Sequence, residues 1–349
     1  MNINARLRRE IETEAYRLGF SHFGITKAIP HPSLDVYQDW VKNNYHADMA
    51  YLAREDAIAK RSDPNLVLEG CQSIICLAFP YQPPKTKLIE TKPGKGRISA
   101  YARTRDYHNI LWEKLSELKS FITNHANGKV HLKSYVDTGP VLERAFAASA
   151  GIGIIGKNSI LLIQGAGSYF FLAEILTDLN LPADEPATVD LCKSCQRCID
   201  ACPTQCIFPD KTIDANRCIS YLTVENKGEI PDDLKPSIGD WLFGCDVCQM
   251  VCPHNARVQE EASPLGEPLL PEYIDLMTLF TYDEATFRKH FVQTPLTRAK
   301  RNGVLRNAAV VLGNHRYTKA LPVLEKALSK EHDPSVLDAC RWAIAQTNK

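Results

Sequence analysis

The cysteines constrain this chain more than any other residue type. Cys192-Lys-Ser-Cys195-Gln-Arg-Cys198-Ile-Asp-Ala-Cys202-Pro and Cys245-Asp-Val-Cys248-Gln-Met-Val-Cys252-Pro are runs of thiols on short loops, each closed by a proline that turns the chain away. The first repeats the C-x2-C-x2-C-x3-C-P spacing that wraps cubane iron–sulfur clusters, in which the fourth thiolate crosses to the other cluster. The second run lacks a leading cysteine, leaving seven thiolates where two four-iron clusters need eight, and Cys218 between the runs supplies the missing one. Crossover then assigns Cys192, Cys195, Cys198 and Cys252 to one cluster, and Cys202, Cys218, Cys245 and Cys248 to the other. Structural zinc also takes paired C-x2-C ligands. Three cysteines at that spacing followed by x3 and proline, nearly twice over, favour iron. Cys71, Cys76 and Cys340 lie in apolar stretches and read as small buried hydrophobes; Cys206 reads as packing in the turn after Pro203.

A chain of 349 residues exceeds what one core usually supports, so two or three domains are expected. Residues 1–180 alternate helical and strand-like segments. Leu7, Ile11, Ala15 and Leu18 share one face of a first helix that Gly19 ends; 21–26 and 73–79 read as strands, 108–126 as a helix and 129–136 as a further strand. Ser159–Gln164 and Ser168–Leu176 flank Gly165-Ala166-Gly167 and predict a β-hairpin. The expected class is α+β, with an α/β-type N-terminal domain. Residues 181–190 read as a polar linker, 181–257 as a ferredoxin-like two-cluster domain, and 258–349 as an acidic connector and helical tail. In that tail Val304–Asn314 and Val336–Gln346 match at an offset of 32 residues, and Asp333-Pro334 supplies a helix start, as in a small HEAT-like helical repeat.

Net charge is zero, so the molecule as a whole is no polyanion binder. The distribution is uneven. Val258 to Glu284 carries seven acidic residues and no Lys or Arg, whereas Ala285 to Leu324 carries eight Lys or Arg and no Asp or Glu. Arg298, Lys300, Arg301 and Arg306 form the densest block, which is either a phosphate-contacting patch or a solvated helix face. No apolar stretch reaches the length of a membrane span, and the start of the chain has no secretory core, so a cytoplasmic protein is expected.

Gly151-x-Gly153-x-x-Gly156 matches a dinucleotide fingerprint by letters, but a helical segment precedes it and a strand-like one follows, the reverse of the required context. No phosphate-cradling P-loop, zinc-protease helix or esterase elbow is present. His108 ends a segment rich in aromatic and guanidinium groups that either starts a helix or contacts a cofactor. Asp137, before Thr-Gly-Pro at the end of a strand, either faces a cleft or caps the following helix.

These motifs together resemble the epoxyqueuosine reductases, cobalamin-dependent iron–sulfur enzymes that complete queuosine synthesis at the wobble position of tRNA. The resemblance is carried by Lys60-Arg61-Ser-Asp-Pro, Arg105-Asp-Tyr-His108, Val136-Asp137-Thr-Gly-Pro-Val-Leu-Glu-Arg144, Ala150-Gly-Ile-Gly-x-x-Gly-Lys157-Asn158, Arg217-Cys-Ile-Ser220-Tyr-Leu-Thr and Gly244-Cys-Asp-Val-Cys-Gln-Met-Val-Cys-Pro, and spans nearly the whole chain. It implies a base-off cobalamin contacted by Arg61, Ser99, Asp137, Leu161, Gln164, Leu172 and Ser220, with no D-x-H-x-x-G motif to ligate cobalt. Ser99 departs from relatives that carry cysteine there. It further implies two 4Fe-4S clusters relaying electrons from an unidentified low-potential donor to cobalt. Asp137 would be the proton donor, kept protonated by burial away from cations, and Arg298, Lys300, Arg301 and Arg306 would position the tRNA. The enzyme is expected to act as a monomer without a membrane. The alternatives are a cobalamin-dependent reductase of another substrate, such as an organohalide, and a non-enzymatic ferredoxin-type electron carrier.

Overall fold

The computed structural model describes residues 3–85, 91–256 and 264–349. The start of the expected acidic connector, with Glu260 and Glu261, lies outside the described residues. In chain order the strands are β1 (His22–Lys27), β2 (Ser73–Pro80), β3 (Lys95–Ile98), β4 (Leu132–Tyr135), β5 (Ile154–Ile155), β6 (Leu161–Leu162), β7 (Phe170–Thr177), β8 (Trp241–Phe243) and β9 (Tyr273–Asp275).

The N-terminal half is organised by a four-stranded sheet in the order β1-β2-β7-β4, and every pairing in it is antiparallel. This corrects the α/β-type expectation. The apolar run Ser73–Phe79 looks like a strand of a parallel sheet because it is buried on both faces. Here an antiparallel sheet is covered on both faces instead. On one side the helices Ile3–Arg17 and Tyr107–His125 bring Leu7, Ile11 and Ala15 and Leu111, Leu115, Leu118 and Ile122 onto Ile75, Leu77 and Phe79. Ile11, Leu111 and Leu115 are fully enclosed, and each contributes about 1.5–3 kcal/mol on burial. On the other side Phe146 of the helix Glu143–Ser149 packs with Cys76, Leu161 and Leu176. Gly19, at φ 94°, ends the first helix as expected.

The predicted hairpin does not form as such. β6 pairs with β5, β7 joins the large sheet, and a single bridge, Ile163 to Gly167, closes the turn between them. Hydrophobicity alone could not distinguish these partners, because both flanking runs are apolar. The proposed linker is also not a free tether. The Asp184 side chain accepts from the Ile25 amide at 2.8 Å and pairs with Arg8 at 2.5 Å, and its own amide donates to the Ile25 carbonyl.

β3 leaves the N-terminal half to lie between β8 and β9 in a second sheet, parallel to the former and antiparallel to the latter. Its Gly96 leaves room for Leu242 and Leu276, which a Cβ would meet at 2.8 and 2.5 Å. One hydrophobic core accordingly joins Ile98 and Ala102 to Ile219, Leu222 and Phe243 of the cysteine-rich region and to Val304, Ala308, Val336 and Ala339 of the tail. The segments related by the offset of 32 fall on the helices Lys300–Asn314 and Pro334–Thr347, which pack together. Asp333 caps the latter, accepting from Ser335 and Val336 amides at 3.0 and 3.3 Å. Among the described residues no helix is long and apolar enough to cross a membrane.

Candidate active site

β4 delivers the chain to a sharp turn at Asp137. Val136 is fully buried and anchors the strand end, while Asp137 takes a left-handed φ of 49°, which aspartate tolerates better than most residues. Gly139 folds back against the Tyr135 ring, where a Cβ would come within 2.4 Å of Cγ. Arg61 clasps the turn, donating to the Gly139 carbonyl at 3.3 Å and to Ala57 O at 3.1 Å. Asp137 therefore does not cap the following helix, whose N-cap position is Leu142.

The carboxylate is gripped from the start of the helix Tyr107–His125. Asp106 caps that helix and accepts from the His108 amide at 3.1 Å. The Tyr107 hydroxyl donates to Asp137 Oδ2, and His108 Nε2 lies 2.9 Å from Oδ1. His108 Nδ1 meets Asp106 Oδ1 at 2.8 Å, so both ring nitrogens face carboxylates. The Tyr107 ring stacks between Phe171, at 3.9 Å, and His108, at 4.2 Å. Burial alone would lower the His108 pKa, but the hydrogen bonds and charges of Asp106 and Asp137 outweigh it and raise it to about 9. His108 is thus an imidazolium at neutral pH, flanked by two carboxylates.

This corrects the environment expected for Asp137. Its side chain is 45% exposed and touches a cation, rather than being buried away from cations. The buried carboxyls lie next to it: Glu174 of β7 has no exposed surface, and neither of its oxygens nor Glu143 Oε1 finds a hydrogen-bond partner among the described residues. Burial, and then the negative charge of Asp137, pushes the Glu143 pKa up; burial, and then Glu143, pushes that of Glu174 up, so both favour the neutral form more than a free carboxyl does. A cleft of about 460 Å³ opens beside the turn, lined by Asp137, Tyr135, Arg61, Lys60, Arg54 and Tyr51, among others.

Cys192, Cys195, Cys198 and Cys252 line a single cavity, together with Lys157 and His254. Lys157 Nζ braces the loop by donating to the carbonyls of Lys193 and Cys195 at 2.9 and 3.0 Å. Cys248 lies within electrostatic reach of Cys218, Cys198 and Cys202, and Cys245 of Cys248 and Cys218, so the thiols of the other set lie near one another and near Cys198 of the first. Cys206 is buried, its sulfur 3.5 Å from that of Cys202 and in contact with Cys218 as well, so it packs against two members of that set.

Ser99 and Ser220 border this second set, the inner one, Ser99 against Gly244 beside Cys245 and Ser220 with its backbone against the Cys218 sulfur. Ser99 is fully buried with its Oγ unpartnered, against Gly244, where a Cβ would meet that oxygen at 2.1 Å. From Gly244 the path to Asp137 runs through two rings: Tyr101 lies 3.3 Å from the Gly244 Cβ position, and Tyr101 and Tyr107 are 6.4 Å apart. Leu161 and Leu172 meet in the hydrophobic cluster beneath, Leu172 sharing a face of β7 with Glu174, and Gln164 is exposed in its turn.

The basic block divides. Arg306 is 1% exposed and donates to the carbonyls of Leu222, Asn226 and Gly228. Arg301 forms a buried two-pronged pair with Glu331 at 2.6 and 2.8 Å. Neither is available to a phosphate, which corrects the expectation for both. Arg298 is exposed but paired with Glu225 at 2.8 Å, and Lys300 is exposed.

Cysteine loops of cluster type set two rings away from a carboxylate-bearing cleft are the arrangement of an iron–sulfur oxidoreductase. Residues 191–255 match the model of a 4Fe-4S double cluster binding domain, and residues 61–138 match that described as epoxyqueuosine reductase QueG, DUF1730. A curated epoxyqueuosine reductase of Cellulophaga algicola is 40% identical over 313 residues, covering 88% of this chain and 98% of its own length. That of Escherichia coli is 36% identical, covering 98% and 89%. Among solved structures, a selenomethionine-labelled epoxyqueuosine reductase superposes with a TM-score of 0.90 at 30% identity, covering 99% of this chain and 91% of that one. An epoxyqueuosine reductase with an epoxyqueuosine-modified tRNA-Tyr stem loop superposes with a TM-score of 0.86 at 29% identity over 100% of both chains. The chain belongs to the epoxyqueuosine reductase family, and is an enzyme rather than an electron carrier.

Proposed function

We propose that this enzyme reduces epoxyqueuosine in tRNA to queuosine, with Asp137 relaying into the cleft the proton that His108 holds, and a corrinoid bound between that cleft and the inner cysteine set. The observation that carries the reading is the match along the entire chain to an enzyme solved with an epoxyqueuosine-modified stem loop. Removing the epoxide oxygen as water and leaving an alkene takes two electrons and two protons. Clusters held by the eight cysteines supply electrons one at a time at low potential. Base-off cobalamin held there would supply a redox-active metal centre for the two-electron reduction.

The residues present fit such a group. Ser99 Oγ is buried without a partner beside the inner set, Arg61 and Asp137 share the cleft, and the half-buried Leu172, packed in one cluster with the buried Leu161, offers apolar surface for a flat macrocycle. The chain's own part is acid catalysis and positioning. Tyr107 and His108 fix both Asp137 oxygens, and the departing alkoxide needs an acid at such a position. His108, protonated at neutral pH, keeps a proton one hydrogen bond from that carboxylate. Arg298 and Lys300 remain as phosphate contacts, with the terminal helices as a HEAT-like appendage that carries them. A tRNA substrate supports a cytoplasmic location.

The test is anaerobic incubation of the reconstituted protein with an epoxyqueuosine-bearing stem loop, followed by nucleoside mass spectrometry. A product lighter by one oxygen is expected. Unchanged epoxide, with clusters and corrinoid both bound and reduced, would overturn the reading.

A further inference from the structure

Of the large apolar side chains left exposed among the described residues, one shares the cleft of Asp137, one lies beside the His108 that binds it, and one lies beyond Asp106. Trp112 is 49% exposed, Tyr51 47% and Val292 60%. Trp112 sits one helical turn beyond His108, their ring centroids 5.9 Å apart, and His108 in turn binds Asp137 at 2.9 Å. Tyr51 lines the cleft that holds Asp137, and Arg298 approaches its hydroxyl. Val292 precedes Gln293, whose carbonyl accepts the Asp106 amide, so it borders the residue that anchors His108. The core face of the helix Tyr107–His125 is carried by Leu111, Leu115, Leu118 and Ile122, so packing the helix does not require Trp112.

Exposed apolar residues scattered singly need no explanation. Two exposed aromatic rings, one lining the cleft that holds Asp137 and the other beside the His108 that binds it, do. A modified base that reaches Asp137 must leave the stack of its loop, and its neighbours then lose a stacking partner. We propose that Trp112 and Tyr51 are stacking platforms for the unpaired nucleobases that flank the modified base. The ligand class is a planar nucleobase of any identity, since stacking needs a π-face and no particular donor or acceptor pattern. Arg298 beside Tyr51 places a cation where the backbone of such a nucleotide would run. The inference rests on the stem-loop reading above and adds a binding subsite to it.

The test measures affinity of the holoenzyme for an epoxyqueuosine-bearing stem loop by fluorescence anisotropy. Wild type, Trp112→Ala, Trp112→Phe and Tyr51→Ala are each paired with stem loops made abasic at one flanking nucleotide. Each alanine variant is expected to bind about tenfold or more weakly, with Trp112→Phe close to wild type. An abasic site at the matching flank should weaken wild type by the same factor and have no further effect on the alanine variant. Alanine variants that bind within about twofold of wild type, or abasic effects that add in full at both flanks, overturn the inference while leaving the substrate intact. Wild type that fails to bind the unaltered stem loop would instead sink the functional reading, so the two failures are distinct.

Discussion

Replacing Arg306 by methionine separates a structural cation from an RNA-binding one. The guanidinium donates to Gly228 O at 2.6 Å, Leu222 O at 2.7 Å and Asn226 O at 2.9 Å, and to Asn307 Oδ1 at 2.9 Å. Asn307 itself donates to Thr223 and Leu242 carbonyls at 2.8 and 2.9 Å, so the pair ties the tail to the cysteine-rich region. Arg306→Met retains most of the apolar stem but removes the donor from three backbone carbonyls. At about 1–3 kcal/mol for each buried group, the gross loss is about 3–9 kcal/mol. Relief of desolvation offsets part of it, because burial already disfavours the charged form and brings the Arg306 pKa down to about 10. The net loss is about 3–5 kcal/mol, the range for breaking one side of a buried charged set. At roughly 2–4 °C per kcal/mol, the unfolding midpoint should fall by about 6–20 °C. Circular dichroism melts of anaerobic holoprotein measure this, with Lys300→Ala as a surface control expected within about 0.5 kcal/mol of wild type. An Arg306→Met protein that melts with wild type but loses salt-dependent stem-loop affinity would return Arg306 to the RNA surface and refute the reasoning.

Four further outcomes follow from the site. Asp137→Asn should keep its iron content and melting midpoint while turnover drops by at least about 100-fold; normal turnover would remove Asp137 from the chemistry. His108 has a folded pKa raised to about 9 from an ordinary 6.5, so its contribution to stability is complete below the latter and is lost as pH rises through the former. Urea midpoints should decline across that interval in wild type and be flatter in His108→Gln, and identical profiles would show that the ring is not held as described. Lys300→Ala should reduce the slope of log affinity against log salt by about 0.7–0.9, with a smaller change for Arg298→Ala because Glu225 already holds that side chain; an unaltered slope in Lys300→Ala means a solvated lysine. Cys198→Ser should lose about half the bound iron and the corresponding electron paramagnetic resonance signal, and a full complement would break the ligand assignment.

The parts of the molecule that could be read from sequence are those whose cause is local. The cysteine spacing reports ligands because a loop of a few residues must reach around one body. Leu7, Ile11 and Ala15 report a helix because their period is that of its buried face. Asp137 stands out through the Thr-Gly-Pro that follows it, yet its partners Tyr107 and His108 lie about thirty positions earlier and are brought to it only by the stacking of a helix on the sheet. Glu174 was visible in retrospect: an acid inside the apolar run Tyr169–Leu176 is a misfit that a buried strand tolerates only for a reason. The same signal marked Arg306, set within Gly303–Leu312 where nearly every neighbour is apolar, but cation clustering pointed to the surface instead. Strand direction was out of reach, since burial on both faces looks alike whether neighbouring strands run with or against each other.

The placement of β3 governs how the molecule can be made. It is synthesised long before β8 and β9, the two strands that satisfy its edges, and the inner thiols flank one of them, since Cys245 follows Phe243 by two residues. A fragment ending near residue 180 would expose an orphan strand, and one beginning there would lack the wall formed by Ser99 against Gly244. Neither half is a transferable module. Loading of the inner metal set must therefore wait until most of the polypeptide has left the ribosome, which makes this protein a poor candidate for division or fusion at its apparent boundaries.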